Sequence, residues 1–187
     1  MSFIICLLIT AFLCSLPIGL CVGLLLYNID PRQHNSGNTG MSNVWRCCGP
    51  VAGLLTLLGD TAKALLSLWI SSQLSSSLLL VGFFCVFFHC YSIYLSGKGG
   101  KGVATASGVI LYFSIDTFLL AVIAWILIRE LDKRASVASL LTVVITLLYS
   151  FFCSETLFPL IFGISILIFV RHKDNIVRLR SNEELHF

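Results

Sequence analysis

Residues 103–128, VATASGVILYFSIDTFLLAVIAWILI, decide how many times this chain crosses a membrane. The segment is apolar except near its middle, where Asp116 follows Ser114 by two positions. As one continuous helix it would bury Asp116 in the bilayer, at a cost of about 3 kcal/mol. As two shorter helices that meet at residues 114–117, it would place Asp116 in a turn at the membrane surface. The distribution of charged residues along the rest of the chain distinguishes these alternatives.

The composition of the chain indicates an integral membrane protein. Of 187 residues, 57% are hydrophobic and only 11% are charged, whereas soluble domains carry about 25% charged residues. The first apolar stretch has no positively charged leader and no small-residue cleavage site, so we interpret it as a membrane helix and not as a signal peptide. Further apolar stretches complete the set, which comprises residues 3–26, 50–70, 78–95, 103–128, 135–152 and 156–170.

The positions of lysine and arginine favour two helices within residues 103–128, because cytoplasmic loops are enriched in these residues. With six helices, the basic segment 129–134 and the basic C-terminal segment lie on opposite sides. With seven helices and an outer N-terminus, every basic residue except Lys63 lies on the inner side. We therefore predict an all-α membrane protein, one domain over residues 1–187, with seven transmembrane helices. Two of the helices are short, and the C-terminus is cytoplasmic.

Three polar segments on the predicted cytoplasmic side carry candidate binding residues. The first, DPRQHNSGNTGMSNVWR at residues 30–46, is rich in Gly, Asn and Ser, which favour turns and supply short polar groups. We interpret it either as a solvated loop that caps the next helix or as a cradle for an anion. The cradle would use Ser36, Asn38, Asn43 and Arg46.

The second segment, SGKGGKGVAT at residues 96–105, combines four glycines with two lysines. A basic membrane anchor does not need glycines, so we expect backbone N–H groups and lysines to hold an anion at the start of the next helix. The segment matches G-x-G-x-x-G, but no strand precedes it and the P-loop pattern is not met, so we expect no nucleotide motif. The expected ligand contacts are Lys98, Gly99, Gly100, Lys101, Gly102 and Thr105.

The third segment is the C-terminal RHKDNIVRLRSNEELHF, residues 171–187. One interpretation is a basic helix that lies on anionic lipid. The other places His172, Asn175 and Arg178 on one helical face, at spacings of three residues, as part of the same site. The location of all three segments on one side of the membrane favours a joint site.

Within the apolar stretches, Asp60 and Lys63 are three residues apart and are expected to form an ion pair. Such a pair is either structural or the floor of a substrate cavity. His89 ends its apolar stretch and is expected to be only a hydrogen-bonded side chain. The eight cysteines include no C-x-x-C, so we predict neither a metal site nor a disulfide framework, and no cofactor.

These segments resemble the motifs of the bacterial membrane glycerol-3-phosphate acyltransferases that use acyl phosphate, the PlsY family. SGNTGMSNVWR is similar to the family's SGN-x-GATN-x-x-R, and HCYSIYLSGKGGKGVAT is similar to H-x-F-P-x-F-x-x-F-KGGKGVAT. HKDNIVRL, followed by Glu184, is similar to H-R-E-N-I-x-R-L with a nearby Glu, and Asp60 and Lys63 fit a D-x-x-K. Departures such as Ser92 in place of proline lie around the polar residues and not at them.

The resemblance implies a reaction in which acyl phosphate and sn-glycerol 3-phosphate give 1-acylglycerol 3-phosphate and phosphate, the first acylation of phospholipid synthesis. It implies no acyl-CoA or acyl carrier protein as direct donor. The expected partners are these two small molecules and membrane lipid, without nucleic acid. The expected location is the bacterial inner membrane, with the active site on the cytoplasmic side. The chain also lacks the H-x-x-x-x-D motif of another acyltransferase family.

For this chemistry we expect Lys98, Lys101 and the glycine N–H groups to hold a phosphate, while the first segment positions glycerol phosphate. The catalytic candidates are His172 and Asn175, near the attacking hydroxyl, and Ser36, as a covalent nucleophile. The base is either His172 or a phosphate of the substrate. An alternative function is an anion or phosphate-ester transporter, although no inverted repeat is visible. A lipid-binding scaffold is a third option.

Overall fold

The computed structural model describes residues 2–74 and 77–186, and within them the chain is helical with no strands, in agreement with the predicted all-α class. Two short 3-10 turns, at Pro31–Gln33 and Ile93–Leu95, lie in connections between helices. The α-helices of the described residues are α1 (Ser2–Ser15), α2 (Ile18–Tyr27), α3 (Met41–Cys48), α4 (Pro50–Ser72), α5 (Leu78–Cys90), α6 (Val103–Phe113), α7 (Ile115–Asp132), α8 (Ala135–Cys153), α9 (Phe158–Arg171) and α10 (Lys173–Arg180).

The distribution of polar side chains is that of a bundle that faces lipid. Large apolar side chains lie on the outside, as at Leu25 (78% exposed) and Phe152 (79% exposed). Small polar side chains, including Thr56 and Ser67, are fully buried between helices, where hydroxyl groups bond across or along helices. Four segments of the described residues are long and apolar enough to cross a membrane, namely Ser2–Tyr27, Pro50–Ser72, Leu78–Leu95 and Ala135–Cys153.

Pro17 interrupts the first apolar stretch, which we predicted to be a single helix over residues 3–26. The first helix α1 ends at Ser15 and α2 begins at Ile18, because proline has no N–H and its ring clashes with the preceding turn. The interruption exposes the Leu16 carbonyl to the bundle interior. There it accepts a hydrogen bond from Lys63 Nζ at 2.7 Å.

Ser114 separates α6 from α7, so the predicted interruption near residues 114–117 is confirmed. The Ser114 hydroxyl accepts the N–H of Thr117 at 3.2 Å and caps α7. Asp116 is exposed in the first turn of α7, where a carboxylate is favourable near the positive end of the helix. The chain thereby avoids the burial of a charge within one long helix.

Residues 41–48 form α3, although neither interpretation of residues 30–46 included a helix. Gly49 has a left-handed φ of 92° and ends α3, and Pro50 then occupies the first position of α4, which suits its fixed φ. Helix α3 packs closely on α4, since a Cβ at Gly53 would lie 2.8 Å from the Cβ of Trp45. Arg46 is therefore held on a packed helix.

The core lies where α1, α4, α5, α6 and α9 meet, around fully buried Leu68, Val86 and Val109. Helix α6 approaches α4 so closely that a Cβ at Gly108 would lie 2.4 Å from the Thr61 carbonyl oxygen. Small residues permit such close contacts between membrane helices. This packing fixes the start of α6, and with it the glycine-rich segment, against α4.

Candidate active site

A cavity of about 300 Å³ lies among the described residues, within the size range of small-molecule sites. Its polar part comes from the three segments singled out in the sequence. That part is lined by Ser36, Asn38, Asn43, Arg46, Lys101, Gly102, His172, Asn175 and Glu184. Its apolar part comes from α6 to α9 and includes Ile110, Ala121, Val122, Trp125, Ile126, Val143, Ile161 and Ile164.

The glycine-rich segment folds back onto the end of α5. The N–H groups of Gly99 and Gly100 donate to the carbonyls of Cys90 and His89 at 3.1 and 3.2 Å. A Cβ at Gly99 would lie 2.0 Å from the His89 carbonyl oxygen, and one at Gly100 would lie 2.2 Å from His89 Nε2. Only glycine permits this approach, which explains why the segment needs glycines.

This geometry corrects part of the expected phosphate cradle. The N–H groups of Gly99 and Gly100 already have backbone acceptors, which argues against a role for them in anion binding, and neither residue lines the cavity. Lys98 is exposed and also lies outside the lining. Close packing and anion binding both call for glycine, and the sequence does not distinguish them.

Lys101 is the lysine of the segment that reaches the cavity. Burial lowers the pKa of its ammonium group to about 8, and the nearby cations Arg178 and Arg46 act in the same direction. Glu184 and Asp174 oppose this shift. A partly desolvated ammonium group that lacks full charge balance favours the binding of an anion.

Arg171, which the sequence analysis did not single out, holds the glycine-rich segment from the other side. Its Nη2 donates to the Gly99 carbonyl at 2.7 Å and its Nε donates to the Gly100 carbonyl at 3.1 Å. Its guanidinium also lies 5.3 Å from the centre of the Tyr91 ring, within the range of a cation–π contact. The Gly99–Gly100 peptide is therefore held on both sides, through its carbonyl by Arg171 and through its N–H by His89.

Asn43 has a different role from the one expected of it. Its side-chain amide donates to the carbonyls of Pro31, His34 and Asn38 at 2.8, 3.2 and 2.8 Å, and its Oδ1 accepts the N–H of Ser36 at 3.1 Å. An amide nitrogen has two hydrogens, so these three acceptors use its donor capacity. Although Asn43 lines the cavity, its polar atoms order the surrounding loop.

That ordered loop presents Ser36 and Asn38 to the cavity. Asn38 Oδ1 accepts the N–H of Gly40 at 2.8 Å, which turns the chain into α3. From α3, Arg46 reaches the cavity and also donates to the C-terminal backbone, with Nε 2.7 Å from the His186 carbonyl oxygen. Burial lowers the pKa of its guanidinium, which nevertheless stays charged at neutral pH.

Two predicted residues, His172 at the junction of α9 and α10 and Asn175 within α10, reach the cavity. The Nδ1 of His172 lies 2.8 Å from the Ile168 carbonyl oxygen, so it carries the proton and Nε2 is an acceptor in the neutral ring. Burial, followed by the charge of Lys101, lowers the His172 pKa to about 4. His172 is therefore neutral at physiological pH.

Glu184 joins α8, α10 and the C-terminal segment, a role that the sequence analysis did not assign to it. Its carboxylate is buried and accepts from Ser136 Oγ at 3.0 Å, Asn175 Nδ2 at 2.6 Å and Arg178 Nε at 2.9 Å. Arg178 lies outside the cavity lining and acts through this carboxylate. Thr105, also expected as a contact, is fully buried in α6 and does not line the cavity.

The intramembrane pair lies at the cavity rather than apart from it. Lys63 Nζ is 2.8 Å from Asp60 Oδ1, which agrees with the expected ion pair, and Asp60 belongs to the cavity lining. His89 also lines the cavity, and its Nδ1 lies 3.0 Å from Lys63 Nζ. Across residues 2–74 and 77–186, no group of three or more His, Cys, Asp or Glu side chains is placed to hold a metal ion.

A lipid-facing helical bundle whose buried cations adjoin an apolar groove defines a membrane protein that binds amphiphilic anions. A family model described as glycerol-3-phosphate acyltransferase matches residues 4–182. Glycerol-3-phosphate acyltransferases of Bacillus subtilis and Coxiella burnetii are each 37% identical, over 91% and 98% of this chain and 90% and 97% of theirs. The chain belongs to this family and is an acyltransferase.

Solved structures agree with this assignment. The chain is similar to PlsY (YgiH), an integral membrane glycerol 3-phosphate acyltransferase, in its glycerol 3-phosphate form, with a TM-score of 0.92 and 30% identity. The match covers 100% of this chain and 96% of that one. The lysophosphatidic acid form of PlsY gives a TM-score of 0.90. The family resemblance inferred from the three segments is thereby confirmed.

Proposed function

We propose that this chain transfers a fatty acyl group from acyl phosphate to sn-glycerol 3-phosphate, and that residues 1–187 act as one domain. The observation that carries the proposal is that Lys101 and Arg46 adjoin an apolar groove within one cavity. Cations suit the two phosphate groups, and the groove suits an acyl chain. The relatives' glycerol 3-phosphate and lysophosphatidic acid forms support the acceptor and the product.

In the proposed arrangement, Lys101 and Arg46 hold the two phosphate groups, and Ser36 and Asn38 help to position glycerol phosphate. Bringing the two anions together is the main physical task, because their mutual repulsion opposes binding. The reaction then needs chiefly alignment of the glycerol hydroxyl with the acyl carbonyl, which contributes several kcal/mol. Cations near the departing phosphate stabilise the charge that develops on it.

Asn175 has an oxygen suited to the attacking hydroxyl. Its Nδ2 is bound to Glu184, whereas its buried Oδ1 has no hydrogen-bond partner among the described residues. Buried polar atoms are normally paired. We assign this oxygen as the acceptor for the hydroxyl proton of glycerol 3-phosphate, which orients an oxygen lone pair toward the carbonyl carbon.

A phosphate oxygen of the acyl phosphate is the proposed base. The hydroxyl oxygen forms a bond to the carbonyl carbon and the bond from that carbon to the phosphate oxygen breaks. The hydroxyl proton, which is hydrogen-bonded to Asn175 Oδ1 before the reaction, transfers to the departing phosphate. His172, whose pKa is near 4, is a weak base. In the proposed arrangement its neutral ring accepts a hydrogen bond at Nε2 and does not remove the hydroxyl proton. For Ser36, no hydrogen bond to a histidine or carboxylate occurs within the described residues, so an acyl-serine intermediate has no structural support.

The proposed membrane topology has seven transmembrane helices, with α1 and α2 together as the first. The N-terminus is outside and the C-terminus is cytoplasmic, because this arrangement puts all basic loops inside. It places the active site on the cytoplasmic side of a bacterial inner membrane. Fusions of a reporter active only in the cytoplasm, made after residues 75, 100, 115 and 133, test it. Activity after 100 and 133 only is expected; activity after 115 contradicts seven spans.

The catalytic test uses purified protein in lipid nanodiscs with palmitoyl phosphate and labelled glycerol 3-phosphate. The expected result is equal release of lysophosphatidic acid and phosphate. Palmitoyl-CoA in place of palmitoyl phosphate is expected to give no product. Uptake of glycerol 3-phosphate into proteoliposomes without phosphate release would instead identify a transporter. Neither product nor uptake would leave only a binding function and overturn the proposal.

A further inference from the structure

Three ionisable side chains meet inside the bundle. Lys63 Nζ lies 2.8 Å from Asp60 Oδ1 and 3.0 Å from His89 Nδ1, and it donates to the Leu16 carbonyl at 2.7 Å. The ammonium group thus donates hydrogen bonds to His89 and the Leu16 carbonyl and forms an ion pair with Asp60. The Leu16 carbonyl is available because Pro17 interrupts the first apolar stretch.

His89 connects this cluster to the glycine-rich segment. When the ammonium group of Lys63 donates to Nδ1, the neutral ring carries its proton on Nε2. Nε2 faces Gly100, where a Cβ would lie 2.2 Å away, and the His89 carbonyl accepts the Gly100 N–H at 3.2 Å. The ring of His89 thus contacts Lys63 on one side. Its ring and its backbone carbonyl both contact Gly100, the residue before Lys101.

Arg171 completes the enclosure from the opposite side, through its bonds to the carbonyls of Gly99 and Gly100 at 2.7 and 3.1 Å. The Gly99–Gly100 peptide is therefore held between the end of α5 and the end of α9, and Arg171 also holds the carbonyl of the following peptide. The next residue is Lys101, whose ammonium group enters the cavity. Because His89 bonds to the peptide that precedes Gly100, the direction of the Lys101 side chain depends on where His89 lies.

We propose that Asp60, Lys63 and His89 form a positioning unit that holds the glycine-rich segment and thereby aims Lys101 at the bound phosphate. The inference rests on the proposed function and adds residues that do not need to contact the reacting atoms. A role in stability alone is a poor explanation, because a buried ion pair is often no more stabilising than apolar side chains of the same volume. A unit that sets the place of a cation does require these polar groups.

The test compares His89→Asn with a matched control. Asparagine keeps an acceptor near Lys63 but withdraws the ring from Gly100. The control, Thr10→Val, removes another buried bond between helices, that of Thr10 Oγ1 and Ser67 Oγ at 2.8 Å. Each purified protein is measured for thermal midpoint in detergent and for kcat/KM toward glycerol 3-phosphate between pH 6 and 10.

In His89→Asn, the expected loss in kcat/KM is up to about 100-fold, the effect of a misplacement near 1 Å. The alkaline decline of kcat/KM is also expected to move to higher pH, because a released Lys101 is better hydrated. The other charged and titratable groups around Lys101 are unchanged in His89→Asn, namely Glu184, Arg178, Arg46, Asp174 and His172. Thr10→Val is expected to lower the thermal midpoint without either kinetic change.

An unchanged alkaline decline in folded His89→Asn overturns the inference, whether or not kcat/KM falls, because the surroundings of Lys101 would then not depend on His89. If His89→Asn does not fold, Gly100→Ala decides by the same two kinetic measurements, since its Cβ would displace the segment from His89. If the unsubstituted protein makes no lysophosphatidic acid, the proposed function itself is wrong. If that protein is active but the variants behave like it, only the inference about the positioning unit is wrong.

Discussion

Asn175 Nδ2 donates to Glu184 Oε1 at 2.6 Å, and this bond fixes which way the amide of Asn175 points. The carboxylate accepts only from the nitrogen, so the amide oxygen is turned away from it. Arg178 and Ser136 bind the same carboxylate and hold it in place. The orientation of a polar atom in the cavity therefore depends on a residue from the C-terminal segment.

Asn175→Asp is expected to lower kcat/KM by about 10- to 100-fold, as the loss of one buried hydrogen-bonded group would. The substitution removes the donor and sets two carboxylates against each other, so that one must take up a proton. Steady-state kinetics with glycerol 3-phosphate provide the measurement. Asn182→Asp, with the same charge change at an exposed position of the same segment, is the control. Equal effects of the two substitutions would contradict the assignment of Asn175.

The activity is expected to decline at alkaline pH as Lys101 loses its proton. Since the pKa of Lys101 in the free protein is about 8, kcat/KM should be constant below that pH and fall up to tenfold per unit above it. Bound phosphate stabilises the ammonium form, so kcat should decline only at higher pH. Rate profiles at saturating and at low glycerol 3-phosphate measure the two quantities.

Lys101→Met is expected to abolish acyl transfer without loss of membrane insertion, whereas Lys98→Met should retain activity within about twofold, a change below 0.5 kcal/mol in transition-state free energy. The contrast arises because Lys98 is exposed and lies outside the cavity lining. Loss of activity in both variants would instead support the original expectation that Lys98 and Lys101 both hold phosphate.

Arg46→Lys is expected to raise KM for glycerol 3-phosphate by about tenfold or more, with a smaller change in kcat. A guanidinium can bind the C-terminal backbone and a phosphate at once, whereas an ammonium group lacks the planar fork. Initial rates over a range of glycerol 3-phosphate concentrations give both constants. Arg32→Lys serves as the control, because Arg32 is exposed and pairs with Asp30; a comparable KM change there would count against Arg46.

The thermal stability of the protein is expected to fall in acid because of His172. Its pKa in the folded state, about 4, lies below the ordinary 6.5, so protons favour the unfolded state. The stabilisation is complete above pH 6.5 and decreases as the pH falls toward 4, by about 3 kcal/mol in all. Thermal midpoints measured from pH 7.5 to 4.5 follow this loss.

In His172→Gln, that part of the pH dependence should be absent, while His34→Gln, at an exposed histidine, should leave it intact. An identical pH dependence in His172→Gln would show that another group causes it. Neutral His172 also predicts little change in the kcat of the unsubstituted enzyme between pH 6 and 7.5.

The groove is expected to set which acyl chains are accepted. Ala121 lines it and is 9% exposed, so Ala121→Phe should lower kcat/KM for palmitoyl phosphate by about tenfold, in line with an overpacking penalty of about 1–3 kcal/mol. Octanoyl phosphate should be affected less. Ile123→Phe, on the outer face of the same helix, is the control. The same loss for both chain lengths would place the acyl chain elsewhere.

Local features of the fold could be predicted from the sequence. Ser114 and Asp116 carry their own signal for a helix start, and they mark the interruption between α6 and α7. His172 and Asn175 share a face because helical spacing dictates it. Pro17 is itself a sequence signal for a helix interruption, but the apolar residues on both sides of it favoured the prediction of one continuous helix.

Features that depend on distant contacts could not be predicted. Asn43 orders its loop through three carbonyls, and nothing in its neighbours distinguishes this from ligand binding. The partners of Glu184 come from α8 and α10, and those of the Gly99 and Gly100 N–H groups come from the end of α5. Such pairings arise only when the helices pack.

Helix α6 has 11 residues and therefore rises only about 16 Å, against a hydrocarbon core of about 30 Å. Lys101 stands two residues before this helix, so in the proposed topology any tilt that lets α6 fit the bilayer also moves the cation. The thickness of the surrounding lipid thus bears on the geometry of catalysis. In the proposed topology, the acyl chains that this enzyme adds to membrane lipid contribute to the thickness of the bilayer around α6, so its own product affects the setting of its active site.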